Sequence, residues 1–275
     1  MASEACRIDF HPQAARPTRK SASMDLNLKE KVAVVTGASQ GLGKAIAFSL
    51  AKEGARVAIS GRRQEVVEET AREIKDQTRA DILPFAGDMT RAESGVEFID
   101  RAAAKWGTIH ILVNNVGQAT RGDLESLDPA DWQHAFDVNF MSAVHYTRQA
   151  IPWMKKQRWG RIINISALSG KEPAEDLIAS NAVKSGMISF SKTLSRELAP
   201  HNILVNCVSP GLVQSPQNDR YFAREERKAA VQAIPLNRFG RPDEFADVVT
   251  FLCSDRAGYV TGVNLVVDGG ASRGL

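Results

Sequence analysis

From about residue 30 to residue 267, short apolar runs of strand length alternate with amphipathic stretches of helix length. A run such as Val32–Thr36 is apolar at nearly every position, so a strand built from it needs cover on both faces. The intervening helices supply that cover, and strand–helix–strand order makes neighbouring strands run parallel. The pattern predicts strands at Val32–Thr36, Arg56–Ser60, Asp81–Phe85, Ile109–Val113, Arg161–Ile165, Ile203–Val208 and Val263–Val267. Helices are predicted at Gly41–Lys52, Gln64–Gln77, Arg91–Lys105, Asp131–Lys156, Ala182–Leu198, Tyr221–Ala233 and Asp243–Cys253, with Pro152 late in the long one. The fold class that follows is α/β: a single doubly wound Rossmann-type domain with a central parallel sheet of about seven strands.

The length of 275 residues suits one large domain better than two. That domain is expected over residues 24–275. Residues 1–23, rich in Ala, Arg, Pro and Ser, read as a disordered tail or as sequence preceding a true start at Met24. Glu4 and Asp9 count against an organelle presequence there, and no apolar segment suggests a secretory signal. No run of about 18 apolar residues predicts a membrane-crossing helix. The net charge of +3, part of it from Arg7, Arg16, Arg19 and Lys20, does not call for nucleic acid or a membrane surface as partner. Cys6, Cys207 and Cys253 lack metal-ligand spacing, as do His110, His134 and His145, so no metal is expected. Reduced thiols fit a cytoplasmic location.

The first strand runs into Thr36-Gly37-Ala38-Ser39-Gln40-Gly41-Leu42-Gly43, which opens the first helix. Glycines here allow a tight turn and close approach of a pyrophosphate, which the helix N-terminus stabilises. Such a turn between strand and helix points to a nucleotide cofactor.

The motif T-G-x-x-x-G-x-G resembles the short-chain dehydrogenase/reductase superfamily, in particular its 3-oxoacyl-(acyl-carrier-protein)-reductase-like branch. Further motifs follow in the family's order over about residues 28–272. Asp88, with Met89 beside it, resembles the acid that binds the adenine amino group. Asn114-Asn115-Val116-Gly117 resembles the family's N-N-A-G, and Asp137-Val138-Asn139 the segment carrying its active-site Asn. Ser209-Pro210-Gly211, followed by Val213, resembles the turn that lines the nicotinamide, and Val266-Val267-Asp268-Gly269-Gly270 the C-terminal strand and turn. The resemblance implies a nicotinamide cofactor and a homotetramer or homodimer packed through the helices around Asp131–Lys156 and Ala182–Leu198. Members that prefer NAD carry an acid at the end of the second strand. Here Gly61 is followed by Arg62 and Arg63, whose guanidinium groups match a 2′-phosphate. NADP(H) is therefore expected rather than NAD, although Gln40 leaves the glycine-rich turn without a second basic residue.

The same resemblance implies a Ser that polarises a carbonyl, a Tyr that handles the proton, a Lys that binds ribose and an Asn that holds a water. Aligning Gly160–Gly170 on the family pattern puts Ala167 at the Ser position and Ser180 at the Tyr position, whereas Lys184 and Asn139 match. The pattern K-E-P…L-x-x-S-N resembles a branch with an imperfect catalytic set. Strand alternation should turn Ser166 away from the site, while Ser169, two residues beyond Ala167, can face it. Ser180 lacks the ring's reach, and an aliphatic hydroxyl is far less acidic than a phenol of pKa about 10. A water on Ser180, Ser169 and Asp176 are the candidate proton sources. Asp176, Ser180 and Lys184 share one face if the helix begins early enough; otherwise Asp176 belongs to a solvated loop. Tyr221 in the variable segment after Pro210-Gly211 offers a remote alternative phenol, and Trp153 and Trp159 read as packing residues.

The expected function is oxidoreduction of a carbonyl, alcohol or imine-like small molecule with NADP(H). An iminium substrate needs no proton at the reacting atom. A non-redox lyase or isomerase, or a cofactor-binding protein without catalysis, fits the same scaffold, because function belongs to the site.

Overall fold

The computed structural model describes residues 24–215 and 224–274. Seven strands, β1 (Val32–Val35), β2 (Arg56–Gly61), β3 (Ile82–Ala86), β4 (Ile111–Asn114), β5 (Gly160–Ile165), β6 (Ile203–Pro210) and β7 (Asn264–Val267), form one sheet. Their order is β3-β2-β1-β4-β5-β6-β7, and every pairing is parallel. The helices are α1 (Gly41–Lys52), α2 (Gln64–Thr78), α3 (Ala92–Trp106), α4 (Pro129–Phe136), α5 (Ser142–Gln157), α6 (Ile178–Leu198), α7 (Arg224–Gln232) and α8 (Pro242–Cys253).

Successive strand residues feed two different cores. Ala33 and Val35 of β1 pack with Ile46 and Leu50 of α1, Ile74 of α2 and Phe245 and Val249 of α8. Val32 and Val34 face the other layer, with Phe98 and Ile99 of α3, Tyr146 and Ala150 of α5 and Leu194 of α6. This period of two inside fully buried strands is the reason they read as continuous apolar runs. Each fully buried Leu, Ile or Phe contributes about 1.5–3 kcal/mol, so the two layers supply most of the drive to fold.

The chain leaves β1 outward to β2 and β3, then returns to place β4 on the other side of β1. That reversal opens a crevice at the carboxyl ends of β1 and β4, where ligands of doubly wound sheets bind. Thr36 and Asn115 tie the two strand ends together. Asn115's backbone N–H donates to Thr36 Oγ1 (2.9 Å), and its Nδ2 donates to the carbonyls of Thr36 and Gly37 (3.1 and 3.0 Å).

Element boundaries depart from the sequence pattern in instructive places. The predicted helix Asp131–Lys156 is three segments: α4, a π turn at Asp137–Met141, and α5. It also starts earlier, because Pro129 follows Asp128, which caps the backbone N–H groups of Ala130 and Asp131 while Asp131 caps back. Strand β4 begins at Ile111 rather than Ile109, and α6 begins at Ile178, four residues before Ala182. The predicted helix Tyr221–Ala233 is seen as Arg224–Gln232; Tyr221 lies outside the described residues, as do residues 1–23 and Cys6. Among the described residues no helix is long and apolar enough to cross a membrane, and no cluster of three or more His, Cys, Asp or Glu side chains could hold a metal.

Candidate functional site

The glycine-rich turn forms one wall of the crevice. Gly37 and Gly41 take positive φ values of 62° and 57°, the left-handed region open to glycine at little cost. A Cβ at Gly43 would lie 2.4 Å from the Gly37 carbonyl oxygen and 2.5 Å from Asn115 Nδ2, so only glycine lets α1 start this close to β4's end. A Cβ at Gly41 would meet nothing nearer than Ser215 Cβ at 4.0 Å, which leaves space in front of the turn. No side chain caps the N-terminus of α1 at Gln40, and its first turn holds no acid. Its N–H donors and the positive end of the helix dipole are thus free for an anion, with Leu42 half-buried behind them.

At the end of β2, Gly61 is buried and packs so tightly on Ser39 that a Cβ there would lie 2.8 Å from Ser39 Cβ. An acidic side chain has no room at this position. Arg62 and Arg63 follow, both exposed, and neither forms an ion pair among the described residues. After the neighbouring strand β3, Thr90's backbone N–H and hydroxyl both donate to Asp88 Oδ1 (3.0 and 2.8 Å). These bonds, with Arg62 and Arg91 nearby, hold the carboxyl below its ordinary pKa and leave Oδ2 free to accept. Met89 beside it is buried, with the Tyr146 hydroxyl on its sulfur at 2.9 Å.

The opposite wall contains Lys184, Asn139 and Gly117. A Cβ placed on Gly117 would lie 3.0 Å from Lys184 Nζ and 3.1 Å from Asn139 Oδ1, so both polar groups converge on an exposed glycine at the end of β4. Lys184 is buried, and its Nζ donates to the Ile165 carbonyl at 3.3 Å. Burial pulls the ammonium down to a pKa of about 8, against a smaller opposing effect of the Cys207 thiol. Asn139 is held from both ends. Its Oδ1 accepts from the Gln118 N–H (3.0 Å), and its Nδ2 donates to the carbonyls of Gln118 (3.0 Å) and Ala135 (2.9 Å). The bond to Ala135, four residues back, competes for a helix carbonyl at the spot where the ladder widens into the π turn.

One expectation needs correction. Asp176 lies two residues before α6 begins, in a left-handed conformation (φ 56°), and is exposed. Its carbonyl accepts from the Gly122 N–H at 2.8 Å, which fixes the loop but takes Asp176 out of the helical register with Ser180 and Lys184. The i, i+4, i+8 face is therefore not made. Ser180 is buried, but its hydroxyl accepts from the Thr120 N–H (2.8 Å) and donates to the Thr120 carbonyl (3.2 Å). Ser169 sits half-buried in a single 3-10 turn, Leu168–Gly170, between β5 and α6. Ser166 points away from the crevice, as strand alternation predicts, and donates to the Lys184 carbonyl at 2.9 Å. Pro210 ends β6, and the N–H of Gly211, the next residue, donates to the Val267 carbonyl at 3.0 Å. Buried Val213 forms a bridge with Gly240 just beyond.

Sequence reasoning missed the Thr120 backbone as the partner of Ser180, and the tie that Glu172 makes to the C-terminal segment. Glu172 Oε1 accepts from the N–H groups of Arg273 and Gly274 (2.8 and 2.6 Å), which fastens the C-terminal segment to the loop after β5. No sequence signal joins residues this far apart.

Residues 37–272 match the family model described as enoyl-(acyl carrier protein) reductase. The chain is 35% identical over 247 residues to a 3-oxoacyl-[acyl-carrier-protein] reductase of Thermotoga maritima, covering 89% of this chain and 99% of that one. It is 37% identical over 243 residues to nodulation protein G of a Rhizobium species, covering 88% and 97%. Among solved structures it is similar to L-sorbose reductase from Gluconobacter frateurii, complexed with NADPH and L-sorbose. The TM-score is 0.88 at 32% identity, over 92% of this chain and all of that one.

Proposed function

The chain belongs to the short-chain dehydrogenase/reductase superfamily, and on that premise we propose that it is an NADP(H)-dependent oxidoreductase acting on a small carbonyl, alcohol or imine-like molecule. The observation that carries this reading is the convergence of Lys184 and Asn139 on Gly117, in the crevice that the glycine-rich turn also faces. The residues fit the cofactor. Gly37, Ser39, Gln40, Gly41, Leu42 and Gly43 would cradle the pyrophosphate against the free N-terminus of α1. Arg62 and Arg63 would hold the 2′-phosphate, and Asp88 with Met89 the adenine. Asn115, Val116, Gly117, Lys184, Pro210, Gly211 and Val213 would line the ribose and nicotinamide. When bound, the cofactor supplies or accepts hydride at its nicotinamide ring.

The chain's own residues do the rest. Asn139 fixes the Gln118 backbone and so the wall beside Gly117. Lys184 brings a positive charge to the crevice, where it stabilises negative charge developing on a substrate oxygen. Ala167 and Ser180 stand where the family keeps its Ser and Tyr, so the groups that ordinarily handle that oxygen are missing. General acid–base groups contribute about 10²–10⁴-fold, and positioning can exceed that, so turnover survives best on activated carbonyls or iminium-like substrates. A homodimer or homotetramer through α5 and α6 is supported by the aromatic cluster beside them, Phe136 stacked on Phe140 and Phe140 edge-on to Phe190 of α6, with Phe136 40% exposed.

Fluorescence titration with NADPH, then NADPH consumption with carbonyl and imine panels, tests the reading. Tight binding with no turnover on either panel would leave the non-catalytic homologue or a non-redox lyase or isomerase. The double change Ala167→Ser with Ser180→Tyr should raise carbonyl reduction if proton handling is the missing part.

A further inference from the structure

Resting on the reductase reading, we propose that the Lys184 ammonium is itself the proton donor to the substrate oxygen. The geometry removes the competing groups. Ser180's hydroxyl is committed in both directions to the Thr120 backbone, so donating to a ligand would break an existing bond. Asp176 is outside α6 and on the surface. Ser169 is an aliphatic hydroxyl, which holds its proton more tightly than a phenol of pKa about 10.

Lys184 has what those groups lack. An ammonium carries three N–H bonds, and Lys184 spends one on the Ile165 carbonyl, with no second acceptor bonded among the described residues. The remaining donors lie behind Gly117, an exposed residue with no side chain to cover them. The nitrogen is thus buried, one residue's depth from the crevice, with a glycine in front of it. Charged groups around it are few. Of the titratable side chains on the end of β4, the π turn, β5 and β6, only the Cys207 thiol bears on its charge, and burial pushes that thiol up to about 11, so it stays neutral. No carboxylate compensates the ammonium, which is why burial leaves it willing to give up a proton near neutral pH.

The step balances without a further reactant. The carbonyl carbon gains hydride from the dihydronicotinamide, which is oxidised, and the C=O electron pair moves onto oxygen. That oxygen forms an O–H bond as an Nζ–H bond breaks, leaving a neutral amine. Water at the crevice mouth reprotonates the amine. In reverse, the neutral amine accepts the alcohol proton. Reduction therefore needs the protonated lysine and declines as pH rises through its pKa, whereas oxidation rises over the same range.

Two measurements test the assignment. Titration of ¹⁵Nζ-labelled Lys184 by NMR, in the free protein and with NADP⁺ bound, reads the proton without turnover. A midpoint near 8 in the free protein is expected; a midpoint at the ordinary lysine value of about 10.4 overturns the assignment. In the second, pH profiles of 2,3-butanedione reduction are compared at saturating NADPH. Lys184→Arg keeps a charge but does not release its proton, so it should cut the rate by about 10²–10⁴-fold and abolish the alkaline limb, while NADPH affinity falls far less. Should arginine disturb packing, Lys184→Ala with added ethylamine replaces it, and the rescued rate should follow the protonated amine. Ser180→Ala should keep the alkaline limb where the parent has it. A parent-like rate and profile in Lys184→Arg, or a limb that moves only with Ser180, refutes the donor alone. NADPH binding with no turnover of any carbonyl refutes the reductase reading, and the donor with it.

Discussion

Gly43→Ala sets two effects of opposite sign against each other. Gly43 lies inside α1, where alanine is the better helix former by about 0.8–1 kcal/mol, so propensity alone predicts stabilisation. The structure predicts the reverse. The new Cβ would sit 2.4 Å from the Gly37 carbonyl oxygen, 2.5 Å from Asn115 Nδ2 and 2.8 Å from Ala38 Cα. Two of these are backbone atoms that cannot rotate away. Relieving the overlap costs about 1–3 kcal/mol. It also displaces the Asn115 amide from the carbonyls of Thr36 and Gly37, and a stranded polar group adds about 1–3 kcal/mol. After subtracting the helix gain, the net loss is about 3 kcal/mol, which for a domain this size lowers Tm by about 6–12 °C. Thermal melts followed by circular dichroism read the stability, and NADPH fluorescence reads the turn, with an affinity loss above about tenfold expected. Gly107→Ala is the control. Its φ is 79° but nothing lies within 4 Å of the added Cβ, so it bears only the left-handed penalty of about 1–2 kcal/mol. A Gly43→Ala protein that melts at or above the parent temperature and binds NADPH equally well would refute the reasoning.

Other consequences are as direct. Replacing both Arg62 and Arg63 with alanine should weaken NADPH binding by about 10–100-fold, from charge-assisted bonds of about 1.5–3 kcal/mol, and leave NADH affinity nearly unchanged in parallel titrations. Ser180→Ala strands the Thr120 N–H and should destabilise the fold by about 1–3 kcal/mol in urea melts. His110, whose Nδ1 accepts from the Val32 N–H at 3.0 Å, is held neutral, chiefly by burial and then by Lys31 and Arg56, with its pKa lowered to about 4. The unfolded histidine titrates near 6.5, so this contribution is complete above that pH and is lost as pH falls toward about 4. A His110→Gln protein should show a shallower acid loss of stability across that window.

The local geometry of the glycine-rich wall was legible because its signals are local. Gly37, Gly41 and Gly43 follow one strand and open one helix, and Arg62 and Arg63 follow another, so spacing and residue type suffice. The opposite wall depends on where the backbone goes between motifs. Asp176 fits the register of Ser180 and Lys184 on paper, yet its left-handed conformation ends that register two residues before the helix. Ser180's partner is a backbone loop 60 residues away, and the acceptor set that shapes the Asn139 turn includes Gln118, 21 residues away. Neither pairing leaves a periodic trace. The early start of α6 at Ile178 was hidden because the segment before it has no capping side chain to announce it. Ser166, in contrast, was readable from alternation alone, since a strand residue's direction follows from its neighbour's.

Deuterium transfer tests the central claim most directly. NADPH carrying deuterium at C4 is incubated with the protein and a panel of activated carbonyls and preformed iminium ions, and the products are examined by mass spectrometry and NMR. Hydride chemistry in this crevice predicts deuterium on the former carbonyl or iminium carbon of at least one product. NADPH bound tightly, with no deuterium in any product, would contradict it.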